Sequence, residues 1–405
     1  MDPYWAEWLH LIVRWTHFTV GVAWIGASFY FNWLNNSVRP PEEDEEGVIG
    51  EVWAIHGGAY YRVTKHDRNM PRLPTSLHWF KYEAYFTWIT GFILLGLVYH
   101  MNAKAYLIKP GSDMSVGMAS MLSTASLVVA WVVYDLLCKS PLKKKPVAFA
   151  LIGFALVTAA AYGLHQIFSA RAAYIHVGAM IGTCMAANVF FVIIPGQRAM
   201  VEATEKGEEP DVSKGEAGSF RSLHNNYLTL PVLFIMISAH FPMTYGHAAN
   251  WAILAALALL SAGVRHWFNL RGQGHRNVWI LPVCAVAGIG LAFVVKPKPI
   301  APPPGAAAAA VSLSAAENAT LFAEVQGIFV RRCNTCHSAN PTHVTAPVAP
   351  KGVMFDKPEQ IAAKAQEIKA QAVDAIIMPL GNLTKMTDEE RQTVGKWIAA
   401  GAKLP

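Results

Sequence analysis

Eight stretches of roughly twenty apolar residues each decide what this chain can fold into: residues 5–34, 79–101, 114–138, 147–168, 172–194, 227–243, 248–268 and 278–295. In hydrocarbon every backbone N–H and C=O must be satisfied inside its own segment, so such runs become helices. The expected fold is therefore all-α, a polytopic transmembrane bundle of about eight helices. Composition agrees, with 53% hydrophobic and only 15% charged residues in 405 and a mean hydropathy of +0.29. The net charge of +6 is not gathered into a basic stripe with interleaved stacking aromatics, which argues against nucleic acid.

The charge instead reports orientation, because Lys and Arg accumulate in cytoplasmic loops. Alternate connections hold Arg39, Arg62, Lys65, Arg68 and Arg72, then Lys139 and Lys143 to Lys145, then Arg198, Lys206, Lys214 and Arg221, then Arg271 and Arg276. The intervening connections hold only Lys104 and Lys109, then Arg171, then none. An even number of spans with this bias places both termini outside the cytoplasm in a multi-pass membrane protein. The first residues carry Asp2 and Glu7 without Lys or Arg, the reverse of a signal peptide's n-region, so the first helix is expected to stay in the bilayer.

Beyond residue 296 the chemistry changes. Residues 297–311 are rich in Pro and Ala, favour extended backbone and read as a linker between a membrane domain, 1–296, and a small domain, 312–405. That last domain holds Cys333-Asn334-Thr335-Cys336-His337, two cysteines two residues apart followed at once by a histidine. This is the spacing of covalent c-type haem attachment, with Cys333 and Cys336 forming the thioethers and His337 the proximal iron ligand. A thioredoxin-like dithiol would need a βαβ setting, and a zinc site a second cysteine pair; neither is present in the sequence. Ser314 with Glu317 and Thr387 with Glu390 spell capping boxes, and Pro358 opens a middle helix with Ile361, Ala365 and Ile368 on one face. Three helices and long loops around a haem describe a small class I cytochrome c. Met378, on a loop before Pro379, is the expected distal ligand over Met354 and Met386. With both axial positions filled, such an iron passes single electrons. Cys138, Cys184 and Cys284 stand singly in apolar segments and read as small buried hydrophobes.

The electron source has to lie in the membrane half, where ionisable residues are costly and rarely idle. On the first helix His10, Arg14, His17, Gly21, Trp24 and Ser28 recur at spacings of three and four and share one face, suited to a cofactor or anionic aromatic substrate, or to a polar seam satisfied by neighbouring helices. His17 and His176 are the best-embedded pair of outer-half histidines, and a b-type haem between them would relay electrons to the cytochrome. Glu83, Asp135 and Arg265 are further intramembrane candidates, Glu83 with Lys81 as its nearby partner and Asp135 pairing or snorkelling near the cytoplasmic end. The connection 35–78 is too long for a plain loop; its Trp53 to Val63 stretch, with Gly57-Gly58, suits a turn lying against headgroups.

Arg14-Trp15-Thr16-His17-Phe18 with Ala23-Trp24-Ile25-Gly26, the stretch Ile55-His56-Gly57-Gly58-Ala59-Tyr60-Tyr61, and Leu77-His78-Trp79-Phe80-Lys81-Tyr82-Glu83 with its continuation to Phe92 resemble the bacterial membrane-integrated urate oxidases, or urate hydroxylases. The resemblance covers essentially the whole chain; Ala59 stands where a third glycine is expected. It implies a multi-span domain followed by a cytochrome c, oxidation of urate to 5-hydroxyisourate in purine catabolism, and electrons leaving through the cytochrome to a respiratory acceptor, a soluble cytochrome or terminal oxidase. Urate, a planar monoanion, would be met by Arg14 with Trp15 or Trp24, or by Arg265 with Asn269. His17 or Glu83 would handle protons and water. Two other functions fit the same pattern: a quinol-to-cytochrome c electron-transfer protein, and a transporter or redox sensor with a fused cytochrome.

Overall fold

A computed structural model describes residues 3–67, 73–296, 313–343, 346, 349–374 and 376–405; the expected linker, 297–311, lies outside the described residues. The chain opens with α1 (Pro3–Ser37), followed by an antiparallel hairpin of β1 (Val48–His56) and β2 (Ala59–His66). The hairpin turns at Gly57 and Gly58, both at positive φ (+59° and +78°), which a two-residue turn matched to strand twist requires. Among the described residues the fold is thus helical but for this one ribbon.

Helices α2 (Tyr82–Leu95), α3 (Val116–Lys139), α4 (Pro146–Ile167), α5 (Ala170–Asn188), α6 (Ile194–Glu205), α7 (Val212–Ser238), α8 (Pro242–Tyr245), α9 (Asn250–Gly272) and α10 (Ile280–Val295) complete the first unit. Their starts follow from local chemistry. Ser115 and Ser169 accept the amides of Met118 and Ala172, Asp211 that of Ser213, and Pro146 occupies the first turn of α4. A π-helical turn, Val189–Ile193, joins α5 to α6, making one continuous helix, Ala170–Glu205.

Among the described residues four helices are long and apolar enough to cross a membrane: Val116–Lys139, Pro146–Ile167, Ala170–Glu205 and Asn250–Gly272. That is fewer than the eight expected. Polar content and length explain the difference. α1 carries Glu7, His10, Arg14 and His17, α2 passes after 14 residues into a π-helical turn (Gly96–His100), α7 begins in the polar stretch Ser213 to Asn226, and α10 has 16 residues.

The chain runs back and forth between two ends. At one, Ile108 bridges Phe168, Ser169 donates to the carbonyl of Leu107 (2.9 Å), and Tyr174 Oη donates to the carbonyl of Asn250 (2.7 Å), gathering the α2–α3, α4–α5 and α8–α9 connections. At the other, Arg39 donates to the carbonyl of Gly272 (3.0 Å), joining the ends of α1 and α9. Between them the core mixes Ala119, Ala161, Ala172 and Ala173 with Phe168, Tyr174 and Met185, small residues letting helices approach where hydrophobic burial gives no drive.

The second unit packs α11 (Ala315–Arg332), two short helices α12 (Pro358–Ala363) and α13 (Ala365–Ile368), and α14 (Asp388–Ala399) around Phe322, Val325, Phe329, Val394 and Trp397. Both capping boxes form, and Ile361, Ala365 and Ile368 are buried as their spacing predicts. The unit rests on the first one. Ile377 packs against the bundle core, and Leu380–Asn382 lies against the π-helical turn Ala103–Leu107.

Candidate functional sites

In the second unit, Cys333 closes α11 as its C-cap and the chain turns at once through Cys336 to His337. Neither cysteine is in a disulfide, and burial pushes the Cys333 thiol up to about 12. His337 donates from Nδ1 to the carbonyl of Val353 (2.9 Å) and lies beside the Phe355 ring (5.3 Å between centroids). Tying one ring nitrogen to a backbone carbonyl fixes tautomer and orientation, leaving Nε2 as the ligating atom. Met378 packs on the same core as Cys333; its amide donates to Gln371 (2.9 Å) and its carbonyl accepts from Arg391 Nη1 (2.6 Å), so the backbone of this loop is held from both sides. Met386 is buried within the core, and Met354 is half-buried. The donor set fits a covalently held haem, which Cys333, Cys336, His337 and Met378 would hold.

The residues singled out in the first unit do not form one site. His17 donates from Nδ1 to the carbonyl of Thr87 (3.0 Å), with Thr90 Oγ1 at the same distance, and its ring packs against Gly91 of α2. Arg14 is exposed, so the expected seam is broken at its one cation. Glu83 sits half-buried in the first turn of α2, and Lys81 stands over the rings of Trp79 (5.9 Å) and Tyr82 (5.0 Å). Asp135 pairs with Arg221 and Lys139, both at 2.6 Å. His176 is wholly buried and already engaged at both nitrogens: Nδ1 donates to Ala172 (2.7 Å), and Nε2 accepts from Ser123 Oγ (2.7 Å), which in turn accepts from His100 Nε2 (2.8 Å). Both ring nitrogens of His176 thus have protein partners, and a b-type haem held by His176 would have to take Nε2 from the Ser123 hydroxyl. Among the described residues no three His, Cys, Asp or Glu side chains converge on a metal position.

What the bundle does hold is a cavity of about 490 Å³ at the end where α1 meets α9, lined by Phe29, Asn32, Trp33 and Asn36 of α1, Leu230 of α7, and Arg265, Phe268, Asn269 and Arg271 of α9. That volume is in the range of small-molecule sites. Arg265 and Asn269 are only 6% and 5% exposed. The Arg265 guanidinium lies over Phe29 (4.1 Å to the ring centre), its Nε donates to Asn226 Oδ1, Asn226 Nδ2 donates to Asn269 Oδ1 (3.0 Å), and Asn269 Nδ2 is buried without a partner. Arg265 was legible in the sequence as an intramembrane cation, and Asn269 only as its companion in one of the two pairs that the resemblance suggested for urate. The α1 side of the cavity was not, although Phe29, Asn32, Trp33 and Asn36 carry the helical spacing that could have marked it.

No curated protein and no solved structure matches the chain. Residues 3–296, the whole bundle with its cavity, match the family described as Urate oxidase N-terminal. With the match running over more than half of its length, the chain belongs to the Urate oxidase N-terminal family.

Proposed function

We propose that the chain is a membrane-bound urate oxidase that hydroxylates urate to 5-hydroxyisourate and sends the electrons out through its own haem c. The family match over residues 3–296 carries this reading, joined in one polypeptide to a haem-attachment motif whose histidine is already oriented by Val353. In the reaction urate adds one water, and two electrons and two protons are released, so that the hydroxyl of 5-hydroxyisourate comes from that water. Bound haem c supplies a one-electron acceptor, so each turnover needs two transfers. The chain's residues have four tasks: to bind the anion, to admit one water, to take up protons, and to hold the cytochrome unit where the electrons leave. The Lys and Arg distribution supports an arrangement with the haem outside the cytoplasm, in a bacterial inner membrane, handing electrons to a soluble cytochrome or a terminal oxidase.

The test is anaerobic addition of urate to the purified, oxidised protein while the reduced-haem spectrum is followed. Reduction with one 5-hydroxyisourate formed per two electrons is expected. Absence of reduction by urate, with reduction by a quinol instead, would overturn the reading.

A further inference from the structure

We infer that the cavity between α1, α7 and α9 is the binding site for the planar anionic substrate, with Arg265 and Asn269 as its recognition pair. The inference rests on the urate reading and adds where the substrate sits, how it is held, and at which end of the bundle. Hydrogen-bond polarity carries it. A guanidinium can only donate, so the oxygen of Asn226 must face Arg265 Nε; the Asn226 amide nitrogen must then face Asn269, and the Asn269 oxygen must accept from it. The chain of amides thus has one permitted orientation. It leaves Asn269 Nδ2, buried and without a partner, as a donor on a residue that lines the cavity.

A buried donor left unmade costs roughly 1–3 kcal/mol, a cost a ligand acceptor would remove. No acidic side chain lines the cavity, whereas Arg265 and Arg271 both do, and among the described residues no carboxylate pairs with Arg265. Positive charge, an orphan donor and no acid select an anion. The walls select a flat one: Phe29 carries the guanidinium on its face, and Trp33 and Phe268 bring further ring surface to the same cavity. A fused-ring monoanion with carbonyl acceptors on its edge meets each of these features. On α1, Asn36 Nδ2 donates to Asn32 Oδ1 (2.9 Å), and the pair adds an amide edge to the cavity wall. Arg14, exposed on α1, has no comparable enclosure.

The experiment uses the full-length haem-loaded protein in nanodiscs under anaerobic conditions, with urate as the probe and tryptophan fluorescence and haem reduction as readouts. Asn269→Asp replaces the orphan donor with a like-charged acceptor of the same shape and is expected to weaken urate binding about 100-fold, the scale of an unpaired buried charge. Trp33→Phe keeps an apolar aromatic wall and is expected to remove most of the urate-dependent fluorescence change. For both variants the dithionite-reduced haem spectrum reports that the chain is folded and loaded. Wild-type binding together with unchanged affinity in Asn269→Asp and an unchanged fluorescence response in Trp33→Phe would overturn the site and leave the function standing. A wild type that neither binds urate nor is reduced by it would overturn the functional reading itself.

Discussion

A histidine serves an iron well when its second ring nitrogen is held, and His337 is held by the carbonyl of Val353. The two cysteines next to it would form the thioethers to the haem, so their loss has a direct readout. Cys333→Ala or Cys336→Ala is expected to abolish or sharply reduce covalent haem staining on a denaturing gel while the bundle still inserts. The two methionines separate more finely. Met378→Leu should abolish the methionine–iron charge-transfer band of the oxidised protein and lower the haem potential, because a thioether favours the reduced iron. Met386→Leu, a near volume-conserving change in a buried core position, should keep the band and cost less than about 1.5 kcal/mol in thermal melting. The reverse pattern would make Met386 the ligand. At this scale the cysteines and histidine were legible because their relation is local. The chain Arg265, Asn226, Asn269 was not, because it joins α7 to α9 and exists only once they pack.

Helix ends in the second unit are set by side chains whose pairing the sequence spells out. Thr387 accepts from the Glu390 amide (3.3 Å) and Glu390 accepts from the Thr387 amide (3.0 Å), and the same carboxylate takes Arg332 Nε at 2.8 Å, tying α14 to the end of α11. Thr387→Ala is expected to cost about 1 kcal/mol in chemical denaturation of this unit. Burial alone would raise the Glu390 carboxyl, but the Arg332 hydrogen bond and the Thr387 amide outweigh it and hold the group below the usual carboxylate range. The unfolded chain therefore binds this proton more readily than the folded one. The contribution is complete above the ordinary carboxylate value and is lost as pH falls through the depressed one. Melting temperature against pH should show this as an acid limb that Glu390→Gln flattens while lowering the neutral plateau. The apolar runs and capping boxes made most helices readable, since each is a property of one segment. Two features escaped. The Gly57-Gly58 pair between Val- and Tyr-containing flanks is a hairpin signal, but its strands stand outside the bundle and bury few residues, so no alternation of burial advertised it. The π-helical turns near Tyr99 and Tyr106 leave no periodic mark, and the one at Ala103–Leu107 is where the second unit rests on the bundle.

At the scale of the whole molecule the cavity and the haem-attachment unit stand at opposite ends of the bundle. The cavity lies where α1 and α9 finish, beside the Arg39 to Gly272 hydrogen bond, whereas Leu380–Asn382 rests on Ala103–Leu107, at the end that holds Phe168 and Asn250. A linker of this composition could let the unit range widely, at about 3.1 Å per residue, yet Ile377 seats it on its own bundle. Ile377→Asp is expected to leave the haem spectrum intact, slow urate-driven haem reduction about tenfold, and release the unit from the membrane after protease cleavage in 297–311; continued retention would show that other contacts hold it. Opposite ends have a stronger consequence. If urate is oxidised in the cavity, every electron that reaches the haem crosses a hydrocarbon core about 30 Å thick, whatever carries it. Moving one elementary charge across the membrane potential changes the free energy by about 2.3 kcal/mol per 100 mV, a factor of about 50 in the equilibrium. In proteoliposomes at a fixed ratio of urate to 5-hydroxyisourate, a potential negative on the cavity side favours outward electron movement and should raise the ratio of reduced to oxidised haem by about that factor per 100 mV. A potential of opposite sign should lower it equally. A haem whose reduction ignores the potential would place substrate oxidation at the cytochrome end and remove the cavity from the reaction.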